Sequence, residues 1–253
     1  MKLIEGGVCA AKGFFAAGVH CGIRKNKTKK DLSLICSEKK AAAAAVYTTN
    51  LVKGAPLIVT KKHLADGYAQ AVICNSGNAN TCNANGVEIA EEMCALLAKE
   101  LNISADDVVV ASTGVIGQPL DIAPIAAGIP PLAAAIGKDS ASAAQGIMTT
   151  DTRLKEVAVE FSLGGVTCHL GGIAKGSGMI HPNMATMLVF LTTDCAISAE
   201  MLQKALSGDV AETFNMVSVD GDTSTNDMVT LLAIGMAGNA EITAADNDFY
   251  TFM

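Results

Sequence analysis

Between Gly172 and Leu191 the chain passes from a glycine-rich turn holding one lysine, through an Ala-Thr pair, straight into the apolar run MLVFL. Met187–Thr192 therefore reads as a strand that begins at Thr186. A threonine opening a strand is ordinary, because β-branched residues suit a pleated surface. Its neighbourhood adds chemistry. Lys175, Gly176, Ser177 and Gly178 supply flexible backbone N–H groups, and Pro182 stiffens the approach to Thr186. A threonine hydroxyl is a poor nucleophile unless a base lies beside it, and cutting the chain before the threonine makes its own α-amine that base. Such an amine titrates at about 7.7–8.0, well below a lysine amine. The Ala185–Thr186 bond is thus the candidate for self-cleavage and Thr186 the candidate acyl-transfer nucleophile. His181 is a second candidate base, although a His-Pro pair in a turn is more often structural.

The 253 residues suffice for one large domain or two small ones. Half are hydrophobic while only 4% are aromatic and Trp is absent, so the core must be built from Ala, Val, Ile, Leu and Met. That suits layered α/β packing. A net charge of −7 argues against nucleic acid or an anionic membrane as partner. The longest apolar stretch, Ile122–Gly137, is too short to span a bilayer and is broken by Pro124, Pro130 and Pro131. Glu5 and Lys12 interrupt what a signal peptide would need as an apolar core, so the expected location is cytoplasmic. None of the eight cysteines forms a Cys-x-x-Cys pair and no HExxH pattern occurs. Reduced, buried thiols and no metal are expected.

Along the chain, Leu32–Cys36, Ala42–Thr48 and Leu57–Thr60 read as strands, the last after a Gly54-Ala55-Pro56 turn. Ala71–Cys74 empties into the loop NSGNANTCNANG, whose Asn and Gly residues tolerate positive φ. Ile89, Met93, Leu96, Leu97 and Leu101 share one helical face. Val108–Ala111 is a buried strand leading into Ser112-Thr113-Gly114. Ile122–Ile136 is helical with proline interruptions. Glu156–Phe161 and Val166–Leu170 form a hairpin around Gly164-Gly165. Ser198 caps a helix carrying Met201, Leu202, Ala205 and Leu206; Val229–Met236 is a further strand, and Asn247–Met253 reads as the start of a helix cut short.

Three further segments carry candidate chemistry. Backbone N–H groups at Thr113-Gly114 can form an oxyanion hole, with the Thr113 hydroxyl as an added donor; the alternative is a plain strand-to-loop turn. Met148–Thr152 gathers hydroxyls around Asp151 and either binds a polar substrate or caps a turn. Asp220–Asp227 is a second polar cluster, lacking the glycine spacing and closing glutamate of a calcium loop. Gly171–Gly178 lacks the Gly-Lys-Ser/Thr order of a phosphate loop. Lys175 is either a solvated loop residue or a point charge for a substrate carboxylate.

Taken together, GGVCAAKGFFAAGVHCGI, AVYTTNLVKGAP, AVICNSGNANTCNANG, STGVIGQPL, GIMTTDTRLK, GGIAKGSGMIHPNMATML and FNMVSVDGDTSTND, in that order, resemble the ornithine acetyltransferase (glutamate N-acetyltransferase) family over nearly the whole chain. The resemblance implies an α/β layered sandwich of β-sheets flanked by helices, of the self-processing threonine-nucleophile type. It implies cleavage into residues 1–185 and a second chain starting at 186, two of each associating as a heterotetramer. Thr186 is then the acylated nucleophile, Thr113 and Gly114 the oxyanion hole, and Thr149, Lys175 and Thr186 the substrate contacts. The implied reaction is ping-pong transfer of acetyl from N2-acetylornithine to glutamate in arginine biosynthesis, without a cofactor, some members also taking acetyl-CoA as donor. Family chains continue beyond position 253 and carry further substrate-site residues there. Two other readings stand beside it: a related self-processed aminopeptidase or amidase, in which water takes the acyl group, and an inactive truncated subunit.

Overall fold

The computed structural model describes residues 1–179 and 187–253. Its nine strands are β1 (Lys2–Ile4), β2 (Phe14–Val19), β3 (Leu32–Tyr47), β4 (Tyr68–Asn78), β5 (Val108–Val115), β6 (Lys155–Leu163), β7 (Val166–Lys175), β8 (Leu188–Thr193) and β9 (Met228–Ala233). The helices are α1 (Ala55–His63), α2 (Gly86–Leu101), α3 (Ile122–Ala134), α4 (Ser140–Ile147), α5 (Ala199–Asp209) and α6 (Asn247–Phe252). One hydrogen-bonded path orders the strands β1-β6-β7-β8-β9-β3-β4-β5, with β2 paired to β3.

Strand β3 explains how one sheet makes two layers. The two runs read as separate strands, Leu32–Cys36 and Ala42–Thr48, are one strand whose register with β4 shifts between Cys36 and Ala41. Its first half pairs with β2 and β4; its second half turns to β9. Ile35, Ala41 and Ala43 face a central cluster with Val72, Val109, Ile173, Leu188 and Phe190. On the opposite face the halves part company. Leu32 and Leu34 pack with Ile73, Met93, Leu97, Ile125 and Leu132, under α2 and α3. Ala42, Ala44 and Val46 pack with Val189, Leu202, Leu206 and Leu231, under α5 and α6. The sheet folds over at the shift, as bulged strands do, and encloses the central core between its inner faces.

Both faces of β5 are covered: Val109 and Ala111 look inward, Val108 and Val110 outward. That is why its sequence is a continuous apolar run rather than an alternating one. Small Ala residues on β3 let the layers approach closely, and the rare aromatics fill the gaps; removing Phe190, 1% exposed, to Ala would cost about 3–5 kcal/mol.

Two further expectations about elements are corrected. Leu57–Thr60 belongs to helix α1, not a strand. Pro56 sits in its first turn and Lys61, Lys62 and His63 in its last, the placements a helix favours; a four-residue apolar run does not itself distinguish the two. Helix α3 runs through Pro130 and Pro131 with both prolines exposed, and its buried face, Ile125, Gly128, Ile129 and Leu132, keeps helical spacing. Helix α4 follows an Asp139 cap that accepts from Ser142 N. The hairpin of β6 and β7, the Ser198 cap of α5 and the helix at 247–252 are as the sequence implies. Among the described residues no helix is long and apolar enough to cross a membrane.

The cysteines are free, but not all are buried: Cys82 is exposed and Cys21 half-buried. Cys82 lies in the Asn-rich loop at φ 61°, where its side chain is held away from the core.

Candidate active site

Strands β4 and β5 run parallel, and their ladder slips where Asn78 pairs with both Thr113 and Val115. At the slip Gly114 adopts φ +134°, and a Cβ there would lie 2.3 Å from the Gly77 carbonyl carbon. Only glycine fits, so the Thr113-Gly114 turn is built by the close approach of two backbones. Thr113, 5% exposed, lines a cavity of about 460 Å³ together with Gly114, Thr149 and Lys175. Three segments that the sequence places far apart, at 113–114, 149 and 175, are thus brought to one cavity. Thr186, Ala185 and His181 lie outside the described residues.

A buried polar network fixes this wall. Asn226 Nδ2 donates to the carbonyls of Ala79 (2.6 Å) and Ser112 (3.0 Å), while its Oδ1 accepts from Thr81 and Thr225 hydroxyls, each at 2.6 Å. Ser112 Oγ donates to Asn75 Oδ1 (2.6 Å), and Asn75 Nδ2 to the Asn78 carbonyl (3.0 Å). Asn78 reaches on to the carbonyls of Gln118 and Pro119. The asparagines of the loop are therefore struts for β5 rather than turn formers alone, although Asn80 does take φ 49°.

Asp151 resolves the two readings of Met148–Thr152. Its carboxylate accepts from Gly176 N (2.9 Å), Thr149 N (3.2 Å) and Lys155 Nζ. Burial alone would raise this carboxyl, but those hydrogen bonds outweigh it and hold it below the usual range. Asp151 clamps the loop to the end of β7, which leaves Thr149 at the cavity. The Ser177 hydroxyl meets that of Thr150 at 2.7 Å, tying the glycine-rich turn to the same loop.

Lys175 ends β7 at 7% exposure. Burial pulls its amine below the usual lysine range, opposed by the charges of Asp227 and Asp151. It is not the solvated loop residue of the alternative reading. Arg24, Gly77, Ser224, Thr225 and Asn226 also line the cavity and were not singled out from sequence as site residues. The Asp220–Asp227 cluster was the available signal for the last three. For Arg24, whose guanidinium donates to the Met148 carbonyl, no sequence signal points to the site.

The arrangement offers a turn with a hydroxyl at one wall, a buried ammonium at another and space for a small polar ligand. Among the described residues, one group has ligand atoms close enough for a metal: Cys168, Asp194 and Cys195, within 4.8 Å of one another. It lies at the other end of β7, and Asp194 already accepts from His169 N and Nδ1, both at 2.7 Å, and from Lys12 N. Those bonds commit its carboxylate to holding the strand ends.

Comparison with known proteins agrees with the fold and extends it. Residues 15–253 match the model of the ArgJ family. The arginine biosynthesis bifunctional protein ArgJ of Symbiobacterium thermophilum is 50% identical over all of this chain, which spans 63% of that protein's length. The corresponding protein of Listeria monocytogenes is 48% identical, with the same 63% spanned. The crystal structure of ArgJ from Bacillus halodurans superposes at a TM-score of 0.67 and 42% identity, covering 72% of this chain and 97% of its own. Ornithine acetyltransferase from Mycobacterium tuberculosis, solved with ornithine, gives 0.65 at 34%, covering 72% and 98%. An Ochrobactrum anthropi aminopeptidase described as a variant of the Ntn hydrolase fold gives 0.57 at 14% over 97% of this chain and 82% of its own, which shows shared architecture. The chain belongs to the ArgJ family.

Proposed function

We propose that this chain forms part of an acetyltransferase that moves acetyl from N2-acetylornithine to glutamate in the cytoplasm, through an acetyl-threonine on Thr186. The observation that carries the reading is the convergence of Thr113, Gly114, Thr149 and Lys175 on one cavity. The chain is released before Thr186, whose freed amine serves as base. Thr186 Oγ attacks the acetyl carbonyl, its proton passing to the α-amine. The oxyanion is held by the Gly114 turn and the Thr113 hydroxyl until ornithine leaves with that proton. The glutamate amine then attacks acetyl-Thr186 and regenerates the hydroxyl. Thr149 and Lys175 hold the amino-acid substrates, Lys175 by their carboxylate. The steps draw on no cofactor or metal; acetyl-CoA enters only as an alternative acetyl donor.

One numerical agreement supports cleavage between Ala185 and Thr186. Residues 1–185 make up about 73% of the 253, and both solved relatives cover 72% of this chain with nearly all of their own length. The two products then associate, two of each, as a heterotetramer. Denaturing intact-mass measurement on the full-length protein is the test. Two species separated between Ala185 and Thr186, with release of ornithine that depends on glutamate, are expected. An uncut chain without glutamate-dependent release would overturn the reading.

A further inference from the structure

The proposed chemistry leaves Asp227 unused. It follows the cavity-lining run Ser224–Asn226, is 1% exposed, and its Oδ2 has no hydrogen-bond partner. A buried carboxylate oxygen without a donor is costly and persists only when something else requires it. The sheet places that requirement two strands away. Lys175 on β7 pairs with Leu188 on β8, and Leu188 with Met228 on β9, so Asp227 enters the sheet beside the strand row that carries Lys175. Of the charges acting on Lys175, Asp227 is the largest, and Lys175 is the charge acting on Asp227. The two do not close into an ion pair, so the carboxylate acts through space.

We infer that Asp227 is a positioning residue for the candidate site: the internal counter-charge behind Lys175 that keeps its amine protonated to receive a substrate carboxylate. The inference rests on the role given to Lys175 above. The other groups facing Lys175 supply less of this charge, Asp151 acting on it more weakly than Asp227. Asp151 is held by Lys155, Gly176 and Thr149; Cys74 is buried and pushed up to about 12, hence neutral; Lys155 opposes it. Burial pushes Asp227 up to about 7, against the pull of Lys175 and Ser224, so its charge is present above neutrality, where a buried lysine most needs it. The sign follows. Removing the carboxylate lowers the Lys175 midpoint further, and the alkaline limb of kcat/KM moves to lower pH.

The test uses the full-length protein with 13C-labelled lysine, the Lys175 signal being assigned by its loss in Lys175→Arg. Asp227→Asn is compared with wild type, and Asp227→Ser is made alongside in case the amide does not fold. In the folded variant the Lys175 midpoint should fall by about one pH unit, the scale of a nearby opposite charge. KM for glutamate should rise about tenfold at pH 8 with kcat little changed, a split that a general loss of packing does not produce. An unchanged Lys175 midpoint overturns the inference whatever the activity. A shifted midpoint in a wild-type background that shows no glutamate-dependent transfer would instead overturn the functional reading and leave the Asp227–Lys175 coupling standing.

Discussion

Two buried polar regions flank the cavity, and they are built on opposite principles. Around Asn226 the side-chain amide uses both its oxygen and its nitrogen, each twice, and ties its own segment to two others distant in sequence. Around Asp227, the very next residue, a carboxylate oxygen is left without a donor and faces a lysine it does not touch. A fully satisfied network repays its desolvation within the fold and acts as scaffold. An incompletely satisfied one is costly, and where a cavity or a charge stands ready to complete it, it belongs to a site rather than to the frame. The boundary between frame and site therefore falls between two consecutive residues.

The largest expected effect lies on the site side. Thr186→Ala in the full-length protein should abolish both chain cleavage and acetyl transfer, because hydroxyl and α-amine are proposed as nucleophile and base. Intact mass and an ornithine-release assay read both; a cleaved or active variant removes Thr186 from the mechanism. On the frame side, Asn226→Ala should cost roughly 3 kcal/mol of stability, because it removes a donor from the Ala79 and Ser112 carbonyls and the short acceptor of the Thr81 and Thr225 hydroxyls. Urea unfolding measures it. A loss under about 0.5 kcal/mol would mean the network is not the strut the geometry describes.

Thr113→Ala comes next and separates the regions more finely. The Thr113 hydroxyl lines the cavity and takes no part in the Asn226 network. Its removal should slow turnover by about 10²-fold, the usual effect of losing one oxyanion donor, while the urea midpoint stays close to wild type. A drop in stability with unchanged turnover would transfer Thr113 to the frame.

The difference between frame and site also decides what the sequence makes legible. The strands at 108–111, 166–170 and 187–192 stand out because apolar residues must line covered faces, and local composition records that demand. Helix α1 does not stand out, since four apolar residues after a proline suit either element and only packing decides. Strand β3 reads as two because the bend after Cys36 is a tertiary event, set by which helices cover each half of its outer face. At the site, Thr113, Gly114, Thr149 and Lys175 were visible as motif residues, and the shared cavity adds what motifs lack, their proximity. Asp227 and Arg24 are marked by position alone: nothing in STND distinguishes an orphaned carboxylate from a solvated one, and nothing in RKNK a cavity-lining guanidinium from a solvated one.

The smallest effect tests whether an unpartnered buried group always signals a site. Among the described residues Thr230 Oγ1 is the other such atom. Thr230 lies in the middle of β9, paired with Ala45 on one side and Phe190 on the other. It shares a face with Met228 and Leu232, which belong to the central core, and it does not line the candidate cavity. Other strand threonines find acceptors there: Thr192 donates to the Val8 carbonyl at 2.7 Å and Thr193 to that of His169 at 2.8 Å. Thr230 is therefore a defect of the frame with no ligand to complete it. Thr230→Val keeps the shape and removes the stranded hydroxyl, so stability should rise by up to about 1 kcal/mol with turnover unchanged. Thermal unfolding and the transfer assay check both halves. A loss of turnover would extend the site through β9 into the core, and would break the rule that separates Asp227 from its neighbour: that an orphaned polar group is functional only where a cavity or a charge stands ready to complete it.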